Sequence, residues 1–251
     1  MRFRSLCLPS ATAGGCAKTP VLALLGALLV SAWAIPVHAA CTTVGGCASA
    51  PTNLGTFPGG SDSEAFAIST DGSTVVGYAG YGNFVGAFSA FRWTGSGALQ
   101  NIASTISGES QAWAVSADGS VVAGYGFFTG GRYHAFRWSA ADGVTDLGTI
   151  GGNNSQAFGV SGNGQVIVGE STVTGINDFH AFRWTAAGGM TDLGTLGGAY
   201  STARAVNADG SVVVGSAALA NFVQHAFRWT SSGGMADLGT LGGNYSAAYA
   251  V

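Results

Sequence analysis

The chain has 251 residues, 42 of them glycine, and is 47% hydrophobic but only 8% charged, against roughly 25% charged in an average globular domain. After the first 20 residues the charged side chains are six arginines and 12 acids, which excludes a basic face for nucleic-acid phosphates. The apolar fraction predicts a folded core with many tight turns, and glycine without a Gly-x-y period excludes collagen.

The N-terminus has the pattern of an export signal. Arg2, Arg4 and Lys18 precede the apolar run 21–35, and small residues follow it. This run of 15 residues is short for a membrane-spanning helix. We predict that 1–39 is a signal peptide that is cleaved, with a cut after Ala40 as the neighbouring option and a buried apolar helix as the structural alternative. The chain would then pass through the periplasm to the extracellular space or the cell surface.

Two of the four cysteines, Cys41 and Cys47, remain after cleavage. An oxidising compartment favours a disulfide between them, within a short N-terminal segment, 40–52. Two thiols without a nearby histidine do not complete a tetrahedral zinc site, so neither a metal nor a cofactor is predicted. Lipidation of Cys41 is disfavoured because His38 stands where a lipobox has Leu or Val.

The remaining segment, 53–251, is a repeat of about 45 residues. The string Phe-Arg-Trp ends at positions 93, 138, 184 and 229, so its spacings are 45, 46 and 45. Asp-Gly or Asn-Gly pairs recur from 71, 118, 163 and 209, and Leu-Gly-Thr recurs from 54, 147, 193 and 238. Each copy predicts four short strands, a to d, with a type I′ turn joining a and b at the Asp-Gly pair.

A four-stranded antiparallel meander at this period is the unit of a β-propeller blade. The predicted fold class is therefore all-β, a β-propeller-like repeat with four copies and the start of a fifth. A β-solenoid is the alternative, disfavoured because its parallel strands need no Asp-Gly hairpins. The strands run from a d strand at 53–56 to an a strand at 247–251. These eighteen strands do not close five blades, so we expect either a fragment or a chain completed by another copy.

The hairpin between strands c and d predicts a repeated cross-strand pair. Pairing Thr230 with Met235 across a four-residue loop places each Phe-Arg-Trp arginine opposite an acid or amide of strand d. The predicted structural pairs are Arg92 with Asn101, Arg137 with Asp146, Arg183 with Asp192, and Arg228 with Asp237.

His-Ala-Phe precedes Arg-Trp from positions 134, 180 and 225, and Asp-Leu-Gly-Thr follows each time. In these ordered motifs 53–251 resembles the HAF family of bacterial extracellular repeat proteins. The chain departs from the family pattern where Ser89 replaces the histidine in the first copy and where Asn101-Ile102-Ala103 interrupts the Leu-Gly-Thr motif. The resemblance implies export from a Gram-negative cell, often as the passenger of an autotransporter. The C-terminal outer-membrane barrel of such a protein is missing from this chain, and the resemblance assigns no chemistry.

The candidate binding residues lie in the b–c connections, which differ between copies and predict a variable binding face. Their aromatic side chains suit stacking on sugars or contact with a protein, whereas packing against the blade rim is the alternative. The histidines at 134, 180 and 225 are interpreted as packing residues, because equivalent places in successive blades do not converge on one ion. The candidate binding residues are Tyr81, Phe84, Phe127, Phe128, Tyr133, Phe179 and Phe222.

We therefore predict a non-enzymatic exported module that binds an unknown glycan or protein through this face. A propeller hydrolase or lyase acting on polysaccharide is the alternative, with Glu64, Glu109 and Glu170 as the carboxylates outside the repeat motifs. A gene fragment without independent function is a third hypothesis.

Overall fold

A computed structural model describes residues 52–82, 87–95, 97–128, 130–175 and 178–251 of the chain. Leu54–Val251 forms one compact unit, and Met1–Asn53 is a separate unit of which only the last two residues are described. The predicted signal peptide, Cys41, Cys47 and Phe84 lie outside the described residues. Within the described ranges no helix is both long enough and apolar enough to cross a membrane.

In the part of the chain that the structure describes, sixteen strands form four antiparallel sheets, and within each sheet the strands are neighbours in chain order. We call each sheet a blade. Blade 1 contains β1 (Ser63–Ile68), β2 (Val75–Gly80), β3 (Phe88–Trp93) and β4 (Gln100–Asn101). Blade 2 contains β5 (Ser110–Val115), β6 (Val121–Phe128), β7 (Arg132–Ser139) and β8 (Gly143–Asp146). Blade 3 contains β9 (Gly151–Val160), β10 (Val166–Val173), β11 (Phe179–Thr185) and β12 (Gly189–Asp192). Blade 4 contains β13 (Gly197–Val206), β14 (Val212–Leu219), β15 (Gln224–Thr230) and β16 (Gly234–Asp237).

The predicted all-β fold of four-stranded antiparallel blades is confirmed. The first strands of successive blades contact one another, so the blades are arranged with β1, β5, β9 and β13 on the inside. The phenylalanine of each Phe-Arg-Trp string is at most 1% exposed. In blades 2, 3 and 4 it packs in a core cluster with residues of the preceding blade, whereas that of blade 1 packs with Phe57 and Leu99. These four core residues are Phe91, Phe136, Phe182 and Phe227.

The Asp-Gly loops form hairpins, but not of the predicted type I′. In blade 1 the backbone N–H of Ser69 donates to Thr74 O and that of Gly72 donates to Ser69 O, which closes a four-residue loop. Gly72 has φ 73° whereas Asp71 is not in the left-handed region. Asp71 instead accepts hydrogen bonds from the Ser69 hydroxyl and the Ser73 N–H. An aspartate that bonds the chain two residues onward forms the turn with φ below zero, so only the glycine needs the left-handed conformation.

The predicted pairing between strands c and d is wrong by one residue. Thr230 pairs with Gly234 and not Met235, which leaves a three-residue loop, and Gly234 has φ 63°. This shift moves each acid opposite the phenylalanine and each arginine opposite a neutral residue. The predicted pairs Arg92–Asn101, Arg137–Asp146, Arg183–Asp192 and Arg228–Asp237 are replaced by Arg92–Gln100, Arg137–Thr145, Arg183–Thr191 and Arg228–Ala236.

The strand d acids bind the histidines of the His-Ala-Phe motif. The three pairs join histidine Nδ1 to a carboxylate oxygen at 2.9 Å, and their histidine side chains are 16–23% exposed. These histidines were predicted to be packing residues; each is in fact half of an ion-pairing or hydrogen-bonding contact within its own blade. The pairs are His134 with Asp146, His180 with Asp192, and His225 with Asp237.

Two arginines of strand c bond to the neighbouring blade. The guanidinium of Arg92 donates to the carbonyl of Gly119 in the next blade, and that of Arg183 donates to Gly210, each at 3.3 Å. Arg137 instead binds the carboxylate of Asp142 at 3.0 Å. The regular charge pattern therefore stabilises blade packing in two of the copies.

A serine hydroxyl makes a second repeated contact between blades. Ser201 accepts a hydrogen bond from the N–H of Ala181 in the preceding blade at 2.8 Å and donates to the carbonyl of Gly194. Ser110, Ser155 and Ser246 accept the same bond from the alanines at 90, 135 and 226. Neither 53–56 nor 247–251 forms a strand, although Ser246 beside the latter makes the inter-blade contact.

Candidate functional site

The first strand of every blade contains a β-bulge, at which one residue has no partner on the second strand. In blade 2, Ala112 pairs with Gly124 and Ala114 with Ala123, so Trp113 is the extra residue between them. A Cβ at Gly124 would overlap the carbonyl oxygen of Gln111, which explains why this position is glycine. Bulges re-aim side chains and occur often at functional sites. The four bulge residues are Phe66, Trp113, Phe158 and Arg204.

These bulge residues contact one another in blade order, and we call them the bulge ladder. Phe66 stacks on Trp113 with ring centroids 4.4 Å apart. Trp113 meets Phe158 edge to face at 5.6 Å, and the guanidinium carbon of Arg204 lies 4.8 Å from the centroid of Phe158. All four side chains are half-buried, so part of each remains open to a ligand.

A row of polar side chains lies beside the ladder, two residues earlier on the same strands. In blade 2 the Oε1 atom of Gln111 accepts hydrogen bonds from the Tyr125 hydroxyl at 3.1 Å and from Trp113 Nε1 at 3.2 Å. In blade 1 Tyr78 donates to Glu64 at 3.1 Å. These bonds fix the orientation of the aromatic rings.

A cavity of about 210 Å³ opens beside the ladder in blade 2. It is smaller than the roughly 300–1,000 Å³ of pockets for drug-sized ligands, so it fits a single small ring. Aromatic faces, two amides and one carboxylate surround it, a mixture that can stack on a ring and hydrogen-bond its hydroxyls. The lining residues are Phe88, Glu109, Gln111, Tyr125, Tyr133 and Gln156.

The Tyr125 hydroxyl in this cavity is kept in its neutral form. Burial raises its pKa above the ordinary value of 10.0, the adjacent indole N–H of Trp113 lowers it, and the nearby Tyr133 and Glu109 raise it. A neutral phenol can both donate and accept a hydrogen bond. Tyr125 therefore continues to donate to Gln111 while its oxygen can accept from a ligand.

One of the predicted binding residues lies at this cavity, and a second packs against it. Tyr133 lines it, and Phe127 packs edge to face on Tyr133 with centroids 5.0 Å apart. Phe128 stacks on His134 at 5.9 Å, and Phe179 is half-buried at the start of β11. These four side chains lie on strands, although the sequence placed them in loops.

Tyr81 and Phe222 are not part of the cavity lining. Tyr81 is 42% exposed and Phe222 is 78% exposed. Phe222 also has φ 64°, an unusual conformation for a bulky residue. They remain exposed aromatic residues on connections of blades 1 and 4.

Sequence reasoning missed Phe88, Gln111, Trp113, Tyr125 and Gln156. The signal that could have found them is the variation between copies on strands a and b, because the other positions of the repeat are nearly constant. One position on strand a holds Glu64, Gln111, Gln156 and Thr202 in successive blades, and the bulge position changes from aromatic to Arg204.

The three carboxylates of the predicted enzymatic alternative lie in different places. Glu109 lines the cavity, Glu64 accepts a hydrogen bond from Tyr78, and the half-buried Glu170 accepts one from Thr202 at 2.6 Å. Only Glu109 borders the cavity space. Among the described residues no cluster of three or more histidines, cysteines or acids could hold a metal ion.

No protein-family model and no curated protein matches the chain. Among solved structures it is similar to TolB from Acinetobacter baumannii, with 14% identity and a TM-score of 0.51 over 68% of this chain and 41% of that one. It is also similar to a protein assigned as TolB from Agrobacterium tumefaciens, with 15% identity and a TM-score of 0.49 over 71% and 62% of the two chains. The chain thus spans less than two thirds of either protein. The likeness to the first, a β-propeller, shows that the blades have a propeller fold.

Proposed function

We propose that this protein is an exported binding module that holds a sugar ring of a glycan in the blade 2 cavity. The observation that carries the proposal is the lining of that cavity, in which Tyr125 and Tyr133 stand beside the amides of Gln111 and Gln156. The propeller fold supports a binding or structural role.

The chemistry of the lining favours a carbohydrate over a purely apolar ligand. One face of a pyranose ring presents C–H bonds, which the negative face of an aromatic ring attracts. The ring's hydroxyls need both donors and acceptors, and a side-chain amide supplies both. Gln156 comes from blade 3 and Phe88 from blade 1, so packing of the blades assembles the site in advance.

Calorimetric titration of the purified chain with a panel of plant and bacterial oligosaccharides tests the binding. Tyr133→Ala and Gln156→Ala should each weaken binding about tenfold or more, because each removes a contact to the ring. Tyr249→Ala is the control, since this tyrosine is 62% exposed and lies outside the cavity. Failure of the whole panel to bind, or equal loss in the control, would overturn the proposal.

The same titrations separate binding from catalysis. Glu109 is the carboxylate that borders the cavity, so a hydrolase or lyase would use it as its acid or base. A binding module leaves the oligosaccharide intact over prolonged incubation. New reducing ends that disappear in Glu109→Gln would identify an enzyme instead.

Export and membership of the HAF family are further parts of the proposal, supported by the N-terminal apolar run and the ordered repeat motifs. Expression of the full chain in a Gram-negative host, followed by fractionation and N-terminal sequencing, tests export. We expect a periplasmic or extracellular product that begins at Ala40 or Cys41. An uncleaved cytoplasmic product would contradict it.

A further inference from the structure

Arg204 occupies the place that an aromatic residue holds in the other three blades. It is the bulge residue of blade 4, equivalent to Phe66, Trp113 and Phe158. Its guanidinium stacks on the face of Phe158, with 4.8 Å between the guanidinium carbon and the ring centroid. The substitution therefore keeps the stacking of the ladder and adds a positive charge at its end.

The donors of this guanidinium are not used within the described part of the chain. Arg92 and Arg183 donate to backbone carbonyls and Arg137 binds Asp142, whereas no hydrogen bond or ion pair is found for Arg204 among the described residues. Its half-buried position on an aromatic face leaves the planar fork of N–H groups free for a ligand.

Glu170 is the acid whose pKa the charge of Arg204 influences, but it does not neutralise Arg204 by direct contact. Its carboxylate accepts a hydrogen bond from the Thr202 hydroxyl at 2.6 Å and forms no ion pair within 4.0 Å with Arg204 among the described salt bridges. Burial raises the pKa of Glu170, while Thr202 and the charge of Arg204 lower it. The Glu170 carboxylate is thus held by Thr202 and does not occupy the guanidinium of Arg204.

Arg204 is linked to the cavity through adjacent side chains. Gln156 lines the cavity and pairs across the strands with Glu170, and Glu170 accepts the hydrogen bond from Thr202, two residues before Arg204. Ring contacts give a second connection, because Trp113 stacks on Tyr125 of the cavity wall at 6.4 Å and meets Phe158, which in turn contacts Arg204. The half-buried side chains of the ladder therefore lie between the cavity wall and the guanidinium.

We infer that the glycan is acidic and that Arg204 binds the carboxylate of one of its uronic acid residues. The planar guanidinium matches a carboxylate with two parallel hydrogen bonds. This inference rests on the proposed glycan-binding function and specifies its ligand class. Six arginines against 12 acids after residue 20 give a chain that repels polyanions as a whole. Selection of an acidic sugar must therefore come from a local contact and not from net charge.

The test compares each acidic oligosaccharide with its own methyl ester, which keeps the sugar and removes the charge. The purified full chain is titrated calorimetrically with tetramers of galacturonate, mannuronate and glucuronate, each free and fully esterified. At least one free acid should bind about tenfold more tightly than its ester, the size expected for a charge-assisted contact at a half-buried site.

Arg204→Phe is the decisive variant because it restores the residue type of the other blades and keeps the ladder stacked. It should bind the free acid and the ester equally, whereas Tyr133→Ala should weaken both. Arg204→Lys keeps the charge but not the fork, so it should recover only part of the preference. Thermal unfolding of each variant checks that the fold is intact.

The outcomes separate the two proposals. Equal binding of acid and ester by the unaltered chain, or a preference that survives in Arg204→Phe, overturns the role of Arg204 and leaves glycan binding intact. Binding of neutral oligosaccharides alone has the same meaning. No binding of any acidic, esterified or neutral oligosaccharide overturns the proposed function together with this inference.

Discussion

The hydroxyl of Ser89 donates a hydrogen bond to the side-chain oxygen of Asn101 at 3.0 Å in blade 1. The other three blades hold a histidine and an aspartate at these two positions, joined at 2.9 Å. In the first copy, Ser89 and Asn101 therefore replace the histidine and the aspartate together, as a pair. In both versions the acceptor also binds a backbone N–H two residues onward, that of Ala103 or, in blade 3, Gly194.

This equivalence predicts that the neutral pair can replace the charged one elsewhere. His180→Ser and Asp192→Asn should each destabilise blade 3, but the double variant should recover part of the loss because it recreates the pair of Ser89 and Asn101. The aspartates of these pairs are 37–41% exposed, so solvent screening limits the coupling to about 0.5–1 kcal/mol. Urea unfolding of the four proteins gives the coupling energy. Strictly additive losses would mean that the contact contributes nothing to stability.

The inter-blade serines give a second prediction. Ser201 is fully buried and satisfies the N–H of Ala181. Ser201→Ala leaves that buried donor without its partner, which should lower the free energy of unfolding by about 1–3 kcal/mol. Ser63→Ala is the matched control, because its exposed hydroxyl donates to the carbonyl of Gly55 and should cost less than about 0.5 kcal/mol. Similar losses measured by urea unfolding in both variants would exclude a special role of burial.

The blades could be predicted from the sequence because large core residues recur at the spacing of the blades. Phe136 and Phe182 recur at one period and are fully buried, so periodicity and burial agree. The pairing of strands c and d depends on one glycine instead. Gly234 has φ 63° and pairs with Thr230, and the choice between a loop residue and a paired residue is not visible in composition.

The binding site could not be predicted in the same way, since the pairing shift at a β-bulge is not visible in the pattern of buried and exposed residues. Buried and half-buried residues alternate regularly along β5 through Trp113, although Trp113 is the unpaired residue of the bulge. The cavity also combines Phe88, Tyr133 and Gln156 from three blades. Their proximity follows from how the blades pack, which no local pattern encodes.

The bulge itself can be tested at Gly124, where an added Cβ would overlap the carbonyl oxygen of Gln111. Gly124→Ala should lower stability by about 1–3 kcal/mol, the range for overpacking, and should weaken glycan binding because Gln111 and Trp113 move. Gly243→Ala is the control, since nothing lies within 4 Å of a Cβ at that position. Unchanged stability and binding in Gly124→Ala would show that the bulge does not depend on this glycine.

The turn aspartates predict a stability change in acid. The Ser116 hydroxyl above all, followed by the backbone N–H of Ser120, lowers the pKa of Asp118 from 3.8 to about 2. Its contribution to stability is therefore present above pH 3.8 and is lost as the pH falls towards about 2. Asn163 accepts the same two hydrogen bonds in blade 3 without a charge.

This difference gives a reciprocal pair of variants. Asp118→Asn should keep the turn but lose the part of stability that depends on pH in this window, whereas Asn163→Asp should gain it. Thermal midpoints between pH 2 and pH 7 measure both. If the two variants and the parent chain lose stability in parallel on acidification, these turn carboxylates do not contribute to acid sensitivity.

Glu170 predicts the opposite sign. Burial raises its pKa above the ordinary value of 4.5, against the lowering effects of Thr202 and Arg204. A raised folded-state pKa stabilises the fold below the unfolded-state value, and this contribution is lost as the pH rises through the folded-state pKa.

Glu170→Gln imitates the neutral acid at every pH, and its amide oxygen can still accept the hydrogen bond from Thr202. The variant should therefore match the parent chain at pH 4 and have a higher thermal midpoint at pH 8. Thr202→Val removes the hydroxyl that holds this pKa down, so in that background the advantage of Gln at pH 8 should increase. A lower midpoint for Glu170→Gln at pH 8 would mean that attraction to Arg204 outweighs burial, and the guanidinium would then be occupied by Glu170 in the absence of a ligand.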